Sequence, residues 1–267
     1  MDSLLPAFPA EGSPYSYGEL SADELNATWG ALRAHSLKWH PDVDLEDRLR
    51  RWELTGAGDP DTAAVVTVPS RAVDAAAVLA RHGFAPLMVT AARPAGRGDG
   101  RPASDVAVRP ATAADVDFVA EVNLETTRYD AWFGMVTERA STGERLREHV
   151  AQRMTWDVPG VLVAERDGER LGALYYDLPP RSDWIAGLTS ASPVAYLGLL
   201  GVPEAARGTG VGSALAAHAH RELDEAGVAL TMLHHALPNP HSTPFWYSCG
   251  YRPLWTTWQR RPALGGH

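Results

Sequence analysis

The sequence predicts a mixed α/β fold, and three observations carry that prediction. Apolar runs of strand length alternate with stretches of helical period. A hairpin signal sits in the middle of the chain, and a glycine-rich turn joins a buried apolar run to an amphipathic helix further on. Strands joined by tight turns and then by a helix crossover give a sheet that is antiparallel in one part and parallel in another.

Residues 63–69, "AAVVTVP", read as a strand and 72–80, "AVDAAAVLA", as a helix, with a β-prone run inside 81–94, "RHGFAPLMVTAARP". The stretch 92–105, "ARPAGRGDGRPASD", is rich in Gly, Pro and charge without apolar periodicity, which marks a linker centred on 96–104. Beyond it, 105–110 is a strand, and 112–129 is a helix with Thr112 as N-cap and Asp115 three residues later. Residues 160–178 form a hairpin turning at Asp167 and Gly168. Residues 194–202, "VAYLGLLGV", are a buried strand. The helix 211–226 carries Val211, Leu215, Ala219, Leu223 and Ala226 on one stripe and stops at Gly227. Residues 228–235 are the next strand, followed by a short helix at "STPFWYS" and a last β-prone run ending near residue 262.

The two ends of this order match each other. "RHGFAPLMVTAARP" and "SCGYRPLWTTWQRRP" share Gly, an aromatic residue, Pro, Leu, a β-prone run and a closing Arg-Pro, and each follows a strand and a helix. The spacing is too long for a solenoid, so it predicts a duplicated domain: a short, degenerate copy over 1–95, a linker at 96–104 and a complete region over 105–267.

Composition narrows the function classes. The 267 residues carry a net charge of −9, which argues against a nucleic-acid partner and favours cationic substrates through steering. No run of eighteen apolar residues occurs, and the acidic beginning of the chain lacks a basic signal region, so a cytoplasmic protein that does not enter membranes is expected. Cys249 is the single cysteine. It excludes an intramolecular disulfide and, among apolar neighbours, reads as a small buried hydrophobe.

The glycine-rich turn carries the chemistry. "VPEAARGTGVGSALAAHAH" spends conformational entropy on three alternating glycines, which suits a ligand approaching the backbone closely. A Walker loop is excluded, since no lysine follows the last glycine. A dinucleotide fingerprint fits poorly, because the next strand ends in histidines instead of an acid. What remains is an anion nest: amides from Gly208 to Ser213 converge at a helix N-terminus whose first two turns hold no acid, while Glu222, Asp224 and Glu225 sit near the far end.

Arg207-x-x-Gly210-x-Gly212 after a strand resembles the acetyl-coenzyme A signature of the GNAT acetyltransferase superfamily, and "VRPATAADVDFVAEV" resembles that family's opening strand and helix. The resemblance spans most of 105–262 and implies a GNAT acyltransferase fold, with 1–95 as a partial GNAT-like domain. It implies acetyl-CoA as cosubstrate and N-acetylation of a primary amine, on a small molecule or a peptide, by direct attack in a ternary complex. A homodimer is compatible with it. Carried over residue by residue, Leu200, Gly201 and Val202 would pair with pantetheine on a bulged strand. Arg207, Gly208, Thr209, Gly210, Val211, Gly212 and Ser213 would hold the diphosphate, and Asn239 would contact the cofactor. The family's thiolate-protonating Tyr position holds Trp246, placed here against the cofactor, and Tyr247 follows it as the candidate acid. That departure keeps a second reading open, a catalytically inert acyl-CoA-binding protein.

Base candidates are His234 and His235, of which one can face a cleft. A core or hydrogen-bonded role is the plainer expectation for each. His218 and His220 do not share a helix face and no His-Glu-x-x-His occurs, so no metal is expected. Trp255 and Trp258 read as core or interface. Residues 1–95 lack the signature and read as a silent copy that helps shape the acceptor site.

Overall fold

Alternating apolar runs need partners on both edges and cover on both faces, and the chain satisfies them with one shared sheet. The computed structural model describes residues 2–8, 13–55, 58–97 and 105–264. Its first part comprises β1 (Tyr15–Glu19), β2 (Arg33–Lys38), α1 (Leu45–Arg50), β3 (Thr62–Pro69), α2 (Val73–Arg81) and β4 (Ala85–Pro94). The second opens with β5 (Ala107–Pro110), α3 (Val116–Ala131), α4 (Thr142–Arg153), β6 (Val161–Arg166), β7 (Glu169–Asp177) and α5 (Asp183–Ala186). It continues with β8 (Val194–Gly201), α6 (Val211–Glu225), β9 (Leu230–Ala236), α7 (Ser242–Ser248) and β10 (Arg252–Arg260).

Among the described residues the strands join in the order β1-β2-β3-β10-β4-β9-β8-β7-β6-β5. Only β2 with β3 and β8 with β9 run parallel, each pair spanned by a helix crossover, α1 and α6 respectively. The two matching C-terminal segments are exchanged: β10 lies between β3 and β4, and β4 lies between β10 and β9. Each half of the chain is therefore completed by the other's last strand.

Alternation along the strands sends side chains to two faces. On one face Leu162, Leu174, Ala195, Leu197 and Leu233 pack against Val211, Leu215, Ala219 and Leu223 of α6 and Trp246 of α7. On the other, Val161, Val163, Ala173, Tyr175 and Leu199 pack against Val119, Val122 and Val150 of α3 and α4. Further along that second face Leu4, Leu5 and Phe8 cover Val194, Leu230, Met232 and Trp255.

Local signals hold where the chemistry is local. Thr112 and Asp115 form a capping box, with Asp115 Oδ2 accepting from the Thr112 N–H at 2.8 Å and its Oγ at 2.9 Å. The Asp115 carboxyl is held far below its ordinary range, first by hydrogen bonds from the Arg109 guanidinium and then by Thr112. The hairpin turns with Asp167 at φ 52° and Gly168 at φ 81°, the pair of positive angles a tight antiparallel turn needs. Helix α6 ends one residue earlier than its stripe suggested: Ala226 is exposed, and Gly227 at φ 76° leaves the helix.

Residues 92–94, where the Gly- and Pro-rich stretch begins, still belong to β4: Ala92 pairs with Met232 and Arg93 with Thr231. Arg93 is buried and held by Asp224 at 3.1 Å, so its charge is neutralised by a tertiary partner no local pattern reveals. Most of the linker, 98–104, lies outside the described residues.

Candidate functional site

The crossover from β8 to β9 is where the sheet opens. The two strands pair from Val194↔Leu230 to Leu197↔Leu233 and then separate, although β8 runs on to Gly201 and β9 to Ala236. A bulge sets the divergence. Tyr175 faces Leu199 while Tyr176 faces Leu197, which leaves Gly198 as the extra residue of β8. A Cβ at Gly198 would run into the Tyr175 ring, so glycine is required there. The sequence expectation placed the bulge or close approach at Gly201. The structure puts the bulge at Gly198, while Gly201 is the close approach: a Cβ on it would strike Val122 of α3.

Past the opening, Val202 leads through the short 3-10 turn Glu204–Ala206 to Arg207 and the glycines. Gly208 and Gly210 have φ of 76° and 89°, a region in which L side chains are strained. Gly210 is the N-cap of α6 with no side-chain cap, and the first turn carries no acid. The amides of Gly208, Thr209 and Gly210 donate to no carbonyl or side chain among the described residues. Those of Val211, Gly212 and Ser213 open the helix, where an intrahelical acceptor does not exist. A Cβ on Gly208 would meet nothing within 4 Å, so this cradle faces open space.

Arg207 does not extend into that space. Its Nε donates to the Val202 carbonyl at 3.0 Å and its Nη2 to Glu125 of α3 at 2.8 Å, with the guanidinium 5.3 Å from the Tyr129 ring. The same Glu125 Oε1 accepts the Glu204 N–H at 3.1 Å. The arginine thus ties the loop to α3. Thr209 Oγ1 donates to the Ala206 carbonyl at 2.7 Å and tightens the same turn.

Asn239 is buried and fully used. Its Oδ1 accepts from the His241 and Ser242 amides at 2.9 and 3.1 Å, fixing the start of α7, and its Nδ2 donates to Asp130 at 2.8 Å. Burial pushes the Asp130 carboxyl up, partly offset by that hydrogen bond. Trp246 sits in the core against Phe245 and Tyr251, with ring centroids at 4.9 and 5.3 Å. Tyr247 turns the other way and meets His235 edge-on at 5.9 Å. Its hydroxyl makes no hydrogen bond among the described residues, and burial raises its pKa.

The histidines separate by face. His235 is buried towards α7, with Nδ1 3.4 Å from Thr243 Oγ1, and desolvation lowers its pKa. His234 lies on the opposite face, its Nδ1 3.1 Å from the Tyr196 hydroxyl. His220 is buried and bonded to the Tyr251 hydroxyl at 2.9 Å, and His218 pairs with Glu222 at 3.5 Å. Cys249, Trp255 and Trp258 pack in apolar clusters. Among the described residues no cluster of His, Cys, Asp and Glu could hold a metal ion, and no helix is long and apolar enough to cross a membrane.

Gly198, Tyr196 and Glu125 were not marked by the sequence reading. A glycine inside "YLGLLG" was the one available signal for the first. The roles of the other two depend on partners far away in the chain.

Residues 129–251 match the family model described as the Acetyltransferase (GNAT) family. No curated protein matches. The fold is similar to a GCN5-related N-acetyltransferase from Sphaerobacter thermophilus, at 14% identity and a TM-score of 0.58 over 87% of this chain and 74% of that one. It is also similar to a functionally unknown conserved protein from Staphylococcus epidermidis, at 13% identity and a TM-score of 0.53 over 98% and 97% of the two chains. A GCN5-related glucosamine N-acetyltransferase region of a fungal multi-domain β-N-acetylglucosaminidase aligns at 14% identity and a TM-score of 0.53, over 85% of this chain and 30% of that one.

Proposed function

From the premise that residues 129–251 are a domain of the GNAT acetyltransferase family, we propose that this chain transfers an acetyl group from acetyl-CoA to a primary amine of a small molecule or peptide. The observation that carries the reading is the coincidence of two features on one crossover. The facing edges of β8 and β9 are unpaired beyond Leu197 and Leu233, and the same β8 leads into an acid-free, glycine-capped helix start with free amides.

Both features suit the parts of an acyl-CoA. An extended amide-bearing arm can add to an unpaired strand edge, and a diphosphate is stabilised by amides and dipole at a helix N-terminus. Leu200, Gly201 and Val202 supply the edge, and Gly208 to Ser213 supply the amides. When bound, the donor supplies an activated thioester carbonyl and a thiolate leaving group. The chain's own contribution is then largely positional: holding donor and amine together removes the entropy of a bimolecular encounter. Tyr247 is the protein group proposed to return a proton to the departing sulfur, through a hydroxyl with no competing partner.

A second reading, acyl-CoA binding without turnover, is favoured by the core position of Trp246, which leaves no phenol at the position the family uses for its acid. One pair of measurements separates them. Calorimetry with acetyl-CoA should show binding at one site per chain, and thiol release against a panel of amines should show turnover. Binding with no turnover on any amine would favour the second reading, and no binding would remove both.

A further inference from the structure

We propose that His234 is the group that takes the proton from the attacking amine, with Tyr196 fixing its tautomer, at an aromatic corner where β8 and β9 part. The inference rests on the acetyl-transfer reading above.

Position is the first argument. The last rung between the strands is Leu197↔Leu233, so His234 is the first residue of β9 beyond it, and Tyr196 is the β8 residue just before it. Alternation sends both side chains to the sheet face away from α6 and α7, the face that also carries Val194, Leu230 and Met232. A thioester inserted between the parting edges would have this vertex at its closed end.

Chemistry is the second. A histidine can serve as a base only through a nitrogen that carries no proton, and its other nitrogen decides which one that is. Nδ1 of His234 and the Tyr196 hydroxyl are 3.1 Å apart. The Tyr196 hydroxyl can accept from Nδ1–H or donate to a bare Nδ1; the proposal requires the first arrangement, in which the lone pair is left on Nε2, which makes no hydrogen bond among the described residues. The Trp184 ring stands 4.7 Å from Tyr196 and 6.1 Å from His234 and is 60% exposed, so the corner has an aromatic wall reachable from solvent.

The charged and titratable surroundings keep the ring neutral, which leaves its lone pair free while weakening it as a base. His235, next on the strand, points to the other face but still disfavours a second positive charge, and desolvation with this neighbour pushes His234 down to about 4. Tyr175 and Asp177 on β7 act on Tyr196, whose pKa is raised first by burial, so it remains a neutral phenol. Arg153 holds Asp177 at 2.9 Å and limits that carboxylate's reach. His234 is therefore neutral throughout the physiological range. His235 is a poorer candidate, because its Nε2 is buried and unpartnered on the α7 face and has no solvent route for an acceptor.

The balanced step is simple. The amine nitrogen attacks the thioester carbonyl carbon, an N–C bond forms, and the nitrogen's proton passes to Nε2 of His234 as positive charge develops on the nitrogen. The C–S bond then breaks, the sulfur leaves as thiolate and takes a proton from the Tyr247 hydroxyl, which solvent restores. His234 returns its proton to solvent.

Two measurements on the full chain test this. In the first, ¹⁵N-histidine NMR of the free protein and its acetyl-CoA complex should show His234 neutral at pH 7, protonated on Nδ1 and bare on Nε2, with Tyr196→Phe shifting the tautomer mixture. An Nε2-protonated ring in both states would overturn the proposal, whatever the acceptor. In the second, thiol release is followed with acetyl-CoA and any amine the parent protein acetylates. His234→Ala should lose at least 100-fold in kcat with acetyl-CoA affinity unchanged, and added imidazole should restore part of the rate, which a merely structural histidine would not allow. Parental turnover in His234→Ala would overturn the proposal while leaving acetyl transfer standing. If the parent binds no acetyl-CoA, the acetyl-transfer reading fails and this proposal with it. If it binds but no amine turns over, the acetyl-transfer reading gives way to binding alone and this proposal falls with it.

Discussion

The chain contains the same crossover twice, and the two copies differ where a ligand would enter. In β2-α1-β3 the parallel strands pair along the whole of β2, from Arg33↔Thr62 to Lys38↔Thr67. In β8-α6-β9 the pairing stops at Leu197↔Leu233 and the strands part. The helix starts differ as well. At α1 the Asp44 carboxylate accepts the Glu46 and Asp47 amides at 2.9 and 3.3 Å, and both of those residues are themselves acidic. At α6 the cap is a glycine at φ 89° and the first turn has no acid. One topology therefore yields a self-satisfied crossover when a side chain fills the helix dipole and the strands zip shut, and a receptive one when neither happens. The first is a structural element, and the second is the candidate site.

Separating the two halves of the chain should have the largest effect. Because β4 lies between β9 and β10, a fragment spanning 105–267 would leave β9 with an open edge and β10 without either neighbour. Val89 and Ala91 of β4 would also be missing from the cluster that includes Leu233 and Trp246. Such a fragment is expected to lose its cooperative unfolding transition and its acetyl-CoA binding, with both restored on co-expression with residues 1–104. A fragment that melts cooperatively and binds as the full chain does would show the exchanged strands to be energetically separable.

A smaller but cleaner effect is expected at the receptive helix start. A side chain at Gly210 would strain the loop at its positive φ and confuse backbone damage with ligand loss. Ser213→Glu avoids this. A carboxylate in the first turn favours the helix by about 0.3–1 kcal/mol, yet it places negative charge where the diphosphate is proposed to sit. Acetyl-CoA affinity should fall at least 100-fold by calorimetry while Tm stays level or rises, and the parent should titrate at one site per chain. Unchanged affinity would move the diphosphate away from Gly208 to Ser213, and two equivalent sites would place a competent one on β2-α1-β3.

How much of this could be read from the sequence depends on how far apart the cooperating residues are. The glycine turn, the capping box at Thr112, the hairpin at Asp167 and Gly168 and the stripe of α6 are each complete within a few residues, and each was legible. The exchange of β4 and β10 was not, although the likeness of the two segments was visible, because pairing across such a distance leaves no local mark. The same holds for Arg207, which the motif aims at phosphate and which Glu125, far away on α3, draws to itself. Helix α4 went unmarked because only Leu146 and Val150 give it an apolar stripe among charged residues. The vertex of the site was half legible: two adjacent histidines were evident, and only the register of β8 against β9 shows which one stands beside Tyr196.

Turnover gives the next test, on the difference between Trp246 and Tyr247. Trp246 is fixed in the core beneath α6, whereas Tyr247 carries a hydroxyl free of hydrogen bonds on the β9 side. Tyr247→Phe should lower kcat by about tenfold or more with acetyl-CoA affinity unchanged, since a proton delivered only as the sulfur leaves affects the transition state alone. Parental kcat would make Tyr247 a packing residue and leave the thiolate to solvent or to backbone amides.

The smallest expected effect belongs to the self-satisfied crossover, and it is informative because it should touch stability and nothing else. Asp44→Ala removes the oxygen that accepts the Glu46 and Asp47 amides, and loss of such a cap costs about 0.5–2 kcal/mol. Helix α1 packs through the buried Leu45 beneath Trp52 and Leu79, so part of that cost should appear in global denaturation instead of being absorbed by local fraying. Freeing those amides should still create no second acetyl-CoA site. The first-turn acids Glu46 and Asp47 remain, and β2 and β3 stay paired past the point where an extended arm would have to enter. Denaturant titration should therefore show a modest fall in midpoint, while calorimetry shows one site with unaltered affinity. A second binding event in this variant would mean that the helix start alone decides competence and that the parting of the strands does not.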